Sequence, residues 1–170
     1  MTAYPRGRTL EGEELRELAA AVAARPELWA ARVHHDPAAR TYEQLVRDEH
    51  VEVWLICWME DHDTGFHDHD LSAGAVAVAG GTVREDRLVL GGAETSRVVG
   101  AGETFTFEAS DIHRVLHAGD GPAVTVHAYS PPLWRMGAYE VKPSGELARH
   151  SVSYAEELRP IGAEAEAQAA

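Results

Sequence analysis

The chain has 170 residues and a formal charge of −13, from 28 acidic and 15 basic side chains. Its length fits one domain of ordinary size, and a hydrophobic content of 45% is globular, which excludes a disordered or fibrous chain. The acidic balance argues against a general nucleic-acid binder, because such a protein needs a basic face to displace counterions from phosphates. We therefore expect one globular domain with no nucleic-acid partner.

The single cysteine, Cys57, excludes an intrachain disulfide and favours a reducing, cytoplasmic setting. No run approaches the roughly 18 apolar residues of a membrane span. Charged residues also interrupt the start of the chain, where a secretory signal would be apolar. We expect a soluble, cytoplasmic protein without a membrane partner, either a monomer or a weak homo-oligomer.

The first part of the chain predicts helices. Residues 9–31 are rich in Ala, Leu and Glu, with apolar residues at helical spacing and Thr9 as a candidate cap. Pro26 is expected to divide this stretch into two short helices. A further short helix is predicted at residues 41–48, so that residues 1–48 form a helical segment packed on the rest of the domain.

From residue 51 the pattern changes to short runs rich in Val, Thr and aromatic residues, separated by Gly, Asp or Pro. Runs such as VEVWLICW, SAGAVAVAG and AVTVHAYS are typical of β-strands, and no segment of helical length separates them. This pattern predicts a mainly β, antiparallel sandwich or barrel over residues 49–141. Residues 142–170 turn polar and end in EAEAQAA, which predicts a C-terminal extension with a disordered end.

The densest chemical signal lies in the sequence GFHDHDLSAGAVAVAGG, residues 65–81. His67 and His69 are two residues apart, and on an extended strand positions i and i+2 face the same side. An isolated pair of this kind also fits an ordinary exposed strand. However, His113 follows a second strand further along the chain, and adjacent strands of a barrel would bring all three imidazoles around one metal ion. We therefore predict these three histidines as metal ligands.

The spacing of this histidine pair, Gly74, Gly81 and His113 resembles the two-motif signature of the cupin superfamily. The resemblance implies a cupin double-stranded β-barrel, or jelly roll, that holds a metal through the pair and through the histidine of the second motif. Many cupins add a glutamate ligand from the first motif, and this chain has Gly74 at that position. Three neutral imidazoles leave a divalent ion its full charge and open positions, which favours an anionic ligand such as a thiolate.

A narrower resemblance is carried by WLICWMEDHDTGFHDHDLSAG, DIHRV and AVTVHAYSPPL, which together look like the cysteine dioxygenase family of thiol dioxygenases, bacterial type. It implies an oxidoreductase that uses Fe(II), with O2 as co-substrate, to convert the sulfur of cysteine or a mercapto acid to a sulfinic acid. In that family a Ser-x-His-x-Tyr series lines the pocket, and Thr125, His127 and Tyr129 match it here. By resemblance these are the catalytic residues, with Tyr129 bonding the substrate, His127 orienting Tyr129, and Thr125 orienting His127.

The segment just before the first barrel strand departs from the family. Members specific for cysteine hold its carboxylate with the arginine of a Tyr-x-Arg-x-Leu type segment, and residues 40–46 correspond to it here. Tyr42 or Glu43 takes the place of that arginine, and Gln44 is adjacent. We therefore predict Tyr42 and Gln44, together with Tyr129, as the substrate contacts.

The remaining arginines near this region, Arg40, Arg47 and Arg135, are interpreted as surface residues. Without a fork-shaped cation a carboxylate loses its bidentate partner, which leaves the identity of the substrate open. Two alternatives to a thiol dioxygenase follow. The first is a cupin oxygenase acting on a non-thiol chelating substrate in a specialised pathway, and the second is a non-catalytic, metal-bearing cupin sensor.

Overall fold

The chain forms one N-terminal helix and two antiparallel β-sheets in a computed structural model that describes residues 4–89, 91–144 and 146–153. Helix α1 (Gly12–Ala23) is followed by two short 3₁₀ turns, Pro26–Leu28 and Ala30–Arg32. The strands are β1 (Thr41–Arg47), β2 (Glu52–Trp58), β3 (Phe66–Asp68), β4 (Ala73–Gly80), β5 (Thr82–Leu88), β6 (Thr95–Gly100), β7 (Thr104–Phe107), β8 (Ile112–Ala118), β9 (Ala123–Ser130), β10 (Arg135–Val141) and β11 (Leu147–Ser153).

The five-stranded sheet has the order β1-β2-β9-β4-β7, and the six-stranded sheet has the order β11-β10-β3-β8-β5-β6. All of their strand pairs are antiparallel, and many join strands that are distant in sequence, such as β2 with β9 and β3 with β8. The prediction of a mainly β, antiparallel architecture is confirmed. None of the helices among the described residues has the length and apolar character to cross a membrane.

Strand β9 shows how the core positions the site. All eight of its residues are buried, because helix α1 covers one face of the five-stranded sheet and the barrel interior covers the other. Val126 and Ala128 pack in the core beneath the helix, together with Leu15 of α1. The alternate residues of β9 therefore face the interior of the barrel. Among them are Thr125 and Tyr129.

The predicted short helix at residues 41–48 is wrong, because Thr41–Arg47 form strand β1. This edge strand pairs with β2 from Thr41 to Arg47, with a register shift between Gln44 and Val46, and that pairing overrides the local helical tendency. Thr9 is not the cap of α1. Glu11 is the cap and forms a capping box with Glu14. Pro26 opens a 3₁₀ turn instead of a second α-helix.

The division of the chain at residues 48/49 and 141/142 stays a prediction. Strands β1 and β11 both come from outside residues 49–141, and each adds a strand to one of the sheets. Strand β11 pairs with β10 along its whole length, from Arg135 opposite Ser153 to Val141 opposite Leu147. The predicted disordered end falls on residues 154–170, which lie outside the described residues.

Candidate metal and substrate site

The three predicted ligands converge inside the barrel. His67 lies on β3 and pairs directly with His113 on β8, while His69 follows β3 by one residue. All three side chains are buried, and their candidate ligand atoms lie within 4.8 Å of one another. The structure therefore brings together the three histidines that the sequence predicts as ligands.

The nitrogens of this cluster fit a divalent metal ion. Nε2 of His113 and Nδ1 of His69 are buried and have no hydrogen-bond partner within the described part of the chain. An unpaired buried nitrogen is costly, and a metal ion bound at the cluster would occupy the lone pair of Nε2 of His113. Burial, reinforced by the neighbouring His67 imidazole, lowers the pKa of His69 and of His113 well below the usual range. Both imidazoles are therefore neutral at physiological pH, as metal ligands must be.

Hydrogen bonds on the far side of two rings fix which nitrogen carries the proton. Nδ1–H of His67 donates to the carbonyl of Gly65 at 3.0 Å, and Nδ1–H of His113 donates to Oε1 of Glu85 at 2.8 Å. Each of these rings then presents Nε2 with a free lone pair. No local signal in the sequence marks Glu85, because only the pairing of β5 with β8 brings it to His113.

Gly74 and Phe107 explain how the cluster is packed where many cupins have a glutamate ligand. A Cβ atom at Gly74 would lie 2.2 Å from the Phe107 ring, so any side chain there would displace that ring. The ring stacks instead on His69, with the centroids 4.3 Å apart. The glycine therefore makes room for an aromatic ring that holds a ligand in place, and the donor set remains three imidazoles.

The hydroxyl, imidazole and phenol of β9 form a continuous hydrogen-bonded series. Oγ1 of Thr125 lies 2.9 Å from Nε2 of His127, and Nδ1 of His127 lies 3.1 Å from the Tyr129 hydroxyl. The indole N–H of Trp58 donates to Oγ1 of Thr125 at 2.8 Å and anchors the far end. Burial, with the Arg40 charge second, lowers the pKa of His127 to about 3, so its ring is neutral. We call Thr125, His127 and Tyr129 the β9 relay.

Arg40, interpreted from sequence as a surface residue, is buried, and that interpretation is wrong. Its exposed fraction is 7%, and its guanidinium carbon lies 5.4 Å from the Trp58 ring centroid and 5.6 Å from that of Tyr42. No carboxylate among residues 4–89, 91–144 and 146–153 forms an ion pair or hydrogen bond with it. A buried cation without an anionic partner is costly, which marks this position for an anionic ligand.

Of the predicted substrate contacts Tyr42 and Gln44, only the first lines the cavity beside the histidines. Tyr42 faces the same interior space as the three histidines. Gln44 does not border that space, and its amide lies 3.3 Å from the buried carboxylate of Glu52. Arg47 also reaches Glu52, at 3.4 Å, and Arg135 reaches Asp70 at 3.0 Å. Both side chains are about half exposed, which agrees with their interpretation as surface residues.

One small cavity joins these groups and has a volume of about 20 Å³, room for about one water molecule. Its walls combine the three imidazoles, two members of the β9 relay, the guanidinium of Arg40 and a set of apolar side chains. The lining residues are Arg40, Tyr42, Ile56, Thr64, His67, His69, Phe107, His113, Val115, His127, Tyr129 and Leu133. Metal-ligating, cationic and hydroxyl groups therefore meet in one small space inside the barrel.

The sequence model for cysteine dioxygenase type I matches residues 3–142. The chain belongs to this family. The predicted resemblance is confirmed, and the family points to an oxidoreductase with a small-molecule substrate. No curated protein sequence matches the chain.

Solved structures show the fold alone, because sequence identities are low. TT1209 from Thermus thermophilus aligns with a TM-score of 0.53 and 16% identity, covering 60% of this chain and 92% of that one. A double-stranded β-helix protein from Klebsiella pneumoniae aligns at 0.53 and 12%, covering 71% and 91%. A cupin from Desulfitobacterium hafniense aligns at 0.51 and 11%, covering 61% and 87%. The predicted cupin double-stranded barrel is thereby confirmed.

Proposed function

We propose that this protein is an Fe(II)-dependent dioxygenase that adds O2 to the sulfur of a small thiol bearing a carboxylate and releases a sulfinate. The single observation that carries the proposal is that the guanidinium of Arg40, which pairs with no described carboxylate, shares one small cavity with the three candidate ligand imidazoles and the Tyr129 hydroxyl. A thiol acid presents a sulfur for the metal and an anion for the guanidinium, so it uses both features at once.

The reaction balances without a further reductant. A thiolate and O2 give a sulfinate, with two S–O bonds formed and the O–O bond broken, so sulfur loses four electrons and O2 gains them. Fe(II) held by His67, His69 and His113 would supply open positions at which thiolate and O2 meet on one centre. The three neutral ligands favour thiolate binding because they leave the charge of the ion uncompensated.

Arg40 is the proposed carboxylate contact, in place of the expected role of Gln44. Its planar fork can donate two parallel hydrogen bonds to a carboxylate, whereas the amide of Gln44 is directed at Glu52. The aromatic rings of Tyr42 and Trp58 flank the guanidinium and restrict its orientation. Tyr42 then contributes to substrate binding by holding Arg40 and by lining the cavity.

The β9 relay is proposed to hold the phenolic proton of Tyr129 toward the substrate. If the Thr125 hydroxyl donates to Nε2 of His127, then Nδ1–H of His127 donates to the oxygen of Tyr129. In this direction the phenolic oxygen of Tyr129 is the acceptor, and the relay orients the hydroxyl within the cavity that Tyr129 lines. The Thr125 hydroxyl has one hydrogen and two acceptors within reach, Nε2 of His127 at 2.9 Å and the carbonyl of Ile56 at 3.4 Å, and the shorter contact favours donation to His127. The indole N–H of Trp58 occupies an acceptor position of the same hydroxyl.

The size of the cavity favours a small substrate. A volume of about 20 Å³ does not accommodate even cysteine without movement of a lining side chain. Arg40 also borders a larger surface hollow formed with Ala38, Ala39, Asp61 and His62, so its side chain separates that hollow from the histidine cluster. Displacement of Arg40 by an incoming carboxylate would therefore open the cavity toward solvent.

The two alternative functions lose their main support. The non-thiol oxygenase was favoured by the apparent lack of an arginine for a carboxylate, and Arg40 supplies a guanidinium at the cavity. The non-catalytic sensor does not account for a hydrogen-bonded relay that ends on a hydroxyl facing the candidate ligands.

Oxygen uptake by iron-loaded protein with a panel of thiols tests the proposal. Cysteine, 3-mercaptopropionate and mercaptosuccinate carry a carboxylate, and cysteamine is the matched control because it is cysteine without one. We expect thiol-dependent O2 uptake with at least one of the acids and a much smaller value of kcat/KM with cysteamine. The absence of uptake with every thiol would overturn the proposal, and cysteamine as the best substrate would remove the role of Arg40.

A further inference from the structure

We propose that Glu85, together with Arg87 and Arg97, is a positioning group that fixes the orientation of His113 and sets its strength as a metal ligand. The inference rests on the metal site of the proposed function. It concerns the side of His113 that faces away from the other two histidines, and it assigns a role to a buried carboxylate that does not line the cavity.

The contacts of Glu85 are directional. Its Oε1 accepts Nδ1–H of His113 at 2.8 Å and Nε–H of Arg87 at 3.0 Å, while its Oε2 accepts Nε–H of Arg97 at 2.6 Å. These contacts leave Nε2 of His113 as the nitrogen that faces the cluster, where it is buried without a hydrogen-bond partner among the described side chains and backbone. A rotated or flipped His113 ring would break the bond to Glu85 and remove Nε2 from the cluster.

Arg87 connects the hydrogen bond between Glu85 and His113 to other parts of the site. It pairs across the sheet with His113 itself, donates to Oδ2 of Asp111 at 2.9 Å and also donates to the carbonyl of Thr106. Thr106 directly precedes the Phe107 ring that stacks on His69. The hydrogen bonds around Glu85 therefore fix the position of His113 directly. Through Thr106 they also contact the segment whose Phe107 ring packs on His69.

Charge explains why two arginines surround one carboxylate. Glu85 has an exposed fraction of 1%, and a buried carboxylate without cationic partners would carry a large desolvation cost. A carboxylate that accepts the far N–H of a ligating imidazole also makes that imidazole a stronger donor to the metal. Arg87 and Arg97 draw charge away from Glu85 and so moderate this effect. The three groups together would set the donor strength of His113.

The same strand offers a matched control. Asp86 is the next residue of β5, is also buried, and is also paired with an arginine, since its carboxylate lies 3.0 Å from Arg84. Its Oδ1 also accepts the hydroxyl of Ser96 at 2.6 Å. Asp86 forms no hydrogen bond with a histidine of the described cluster. A general effect of disturbing a buried acid on this strand would therefore be seen equally in Asp86→Asn and in Glu85→Gln.

The experiment compares the wild-type chain with Glu85→Gln, Arg97→Gln and Asp86→Asn by two readouts that do not depend on turnover. The first is the dissociation constant for Fe(II), measured by competition with a chelator under anaerobic conditions. The second is the midpoint potential of the bound iron. We expect Glu85→Gln to weaken Fe(II) binding roughly 10- to 100-fold, and Asp86→Asn to leave it within about twofold of wild type.

The midpoint potential of the bound iron distinguishes a positioning role of Glu85 from a merely structural one. Glu85→Gln removes negative charge behind His113 and should raise the potential, whereas Arg97→Gln strengthens the carboxylate and should lower it. Shifts of the same sign in both variants, or Fe(II) binding by Glu85→Gln within twofold of wild type, would overturn the inference. If Glu85→Gln does not fold, the sign of the Arg97→Gln shift alone decides. Failure of the wild-type chain to bind Fe(II) would instead overturn the proposed function.

Discussion

The two sheets contribute different chemistry to the cavity. The six-stranded sheet supplies His67 and His113 on paired strands and, on its neighbouring strand β5, the carboxylate of Glu85. The five-stranded sheet supplies Tyr42 on β1 and the β9 relay, with Arg40 immediately before β1. One sheet therefore carries the candidate metal ligands and the other carries the candidate substrate contacts. It follows that metal binding and turnover should be separable by substitution.

The largest expected effect comes from the six-stranded sheet. Replacing His113 by Ala removes one of three ligands and exposes the Glu85 carboxylate to an empty position, so we expect almost complete loss of bound iron and of activity. Elemental analysis of the purified variant measures the metal, and circular dichroism checks that the fold persists. Full iron occupancy in this variant would rule out His113 as a ligand.

On the five-stranded sheet, Tyr129→Phe should produce the opposite pattern. The phenyl ring keeps the packing against His69, whose centroid lies 5.4 Å from that of Tyr129, so iron content should remain near wild type. Loss of one hydrogen bond to a charged group costs about 1.5–3 kcal/mol, which lowers kcat by roughly 10- to 100-fold. Steady-state O2 uptake measures this, and an unchanged kcat would remove the catalytic role of Tyr129.

Arg40→Gln tests the proposed contact between Arg40, which immediately precedes β1, and the substrate carboxylate. Loss of the bidentate guanidinium should raise KM for a thiol acid roughly 10-fold or more, with little change in iron content and little change with cysteamine. Arg47→Gln is the control, because Arg47 pairs with Glu52 and does not line the cavity. Equal effects of the two substitutions on KM would show that Arg40 does not contact the carboxylate.

The smallest expected effect lies at the outer edge of the six-stranded sheet. Arg149 on β11 donates to both oxygens of Asp68, at 2.7 and 2.9 Å, and Asp68 separates His67 from His69 in sequence. Arg149→Gln should cost about 1–3 kcal/mol of stability, because Arg149 is partly exposed and the Tyr139 hydroxyl still donates to the buried carboxylate at 2.6 Å. Thermal unfolding measures the loss, and an unchanged Tm would show that the pair contributes nothing.

The sequence predicted the parts of the site whose geometry is local. His67 and His69, like the members of the β9 relay, share a strand face because of the two-residue period, so spacing and family resemblance together were sufficient. The metal cluster also needed His113, whose motif places it on a strand of the same barrel.

The sequence does not identify Arg40 as a site residue, because the family's carboxylate-binding arginine aligns with Tyr42 or Glu43 and the residues that follow Arg40, 41–48, are predicted to form a helix. On a helix, residues 40 and 42 point in different directions, whereas in an extended chain they share one side. Tyr42 is followed by Glu43 and Gln44, which favour helices, and only the pairing of β1 with β2 overrides that tendency. Once β1 is known to be a strand, the order Arg-x-Tyr is recognisable as the reverse of the family's Tyr-x-Arg.

Glu85 was missed for a different reason. Its function depends on the register of β5 against β8, which places Arg87 opposite His113 and Glu85 within reach of the imidazole. Such a register is a long-range property, and a charged residue in a strand rich in Arg and Asp gives no local sign of burial. A buried acid of this kind is recognised only from its partners.

Oxidation of the preferred thiol acid under ¹⁸O2 tests whether the protein adds both atoms of O2 to the substrate sulfur. Mass spectrometry of the product should show a sulfinate that carries two labelled oxygen atoms, formed in proportion to the O2 consumed. A disulfide product, a sulfinate labelled at one oxygen, or O2 consumption without a sulfinate would contradict the assignment of this protein as a thiol dioxygenase.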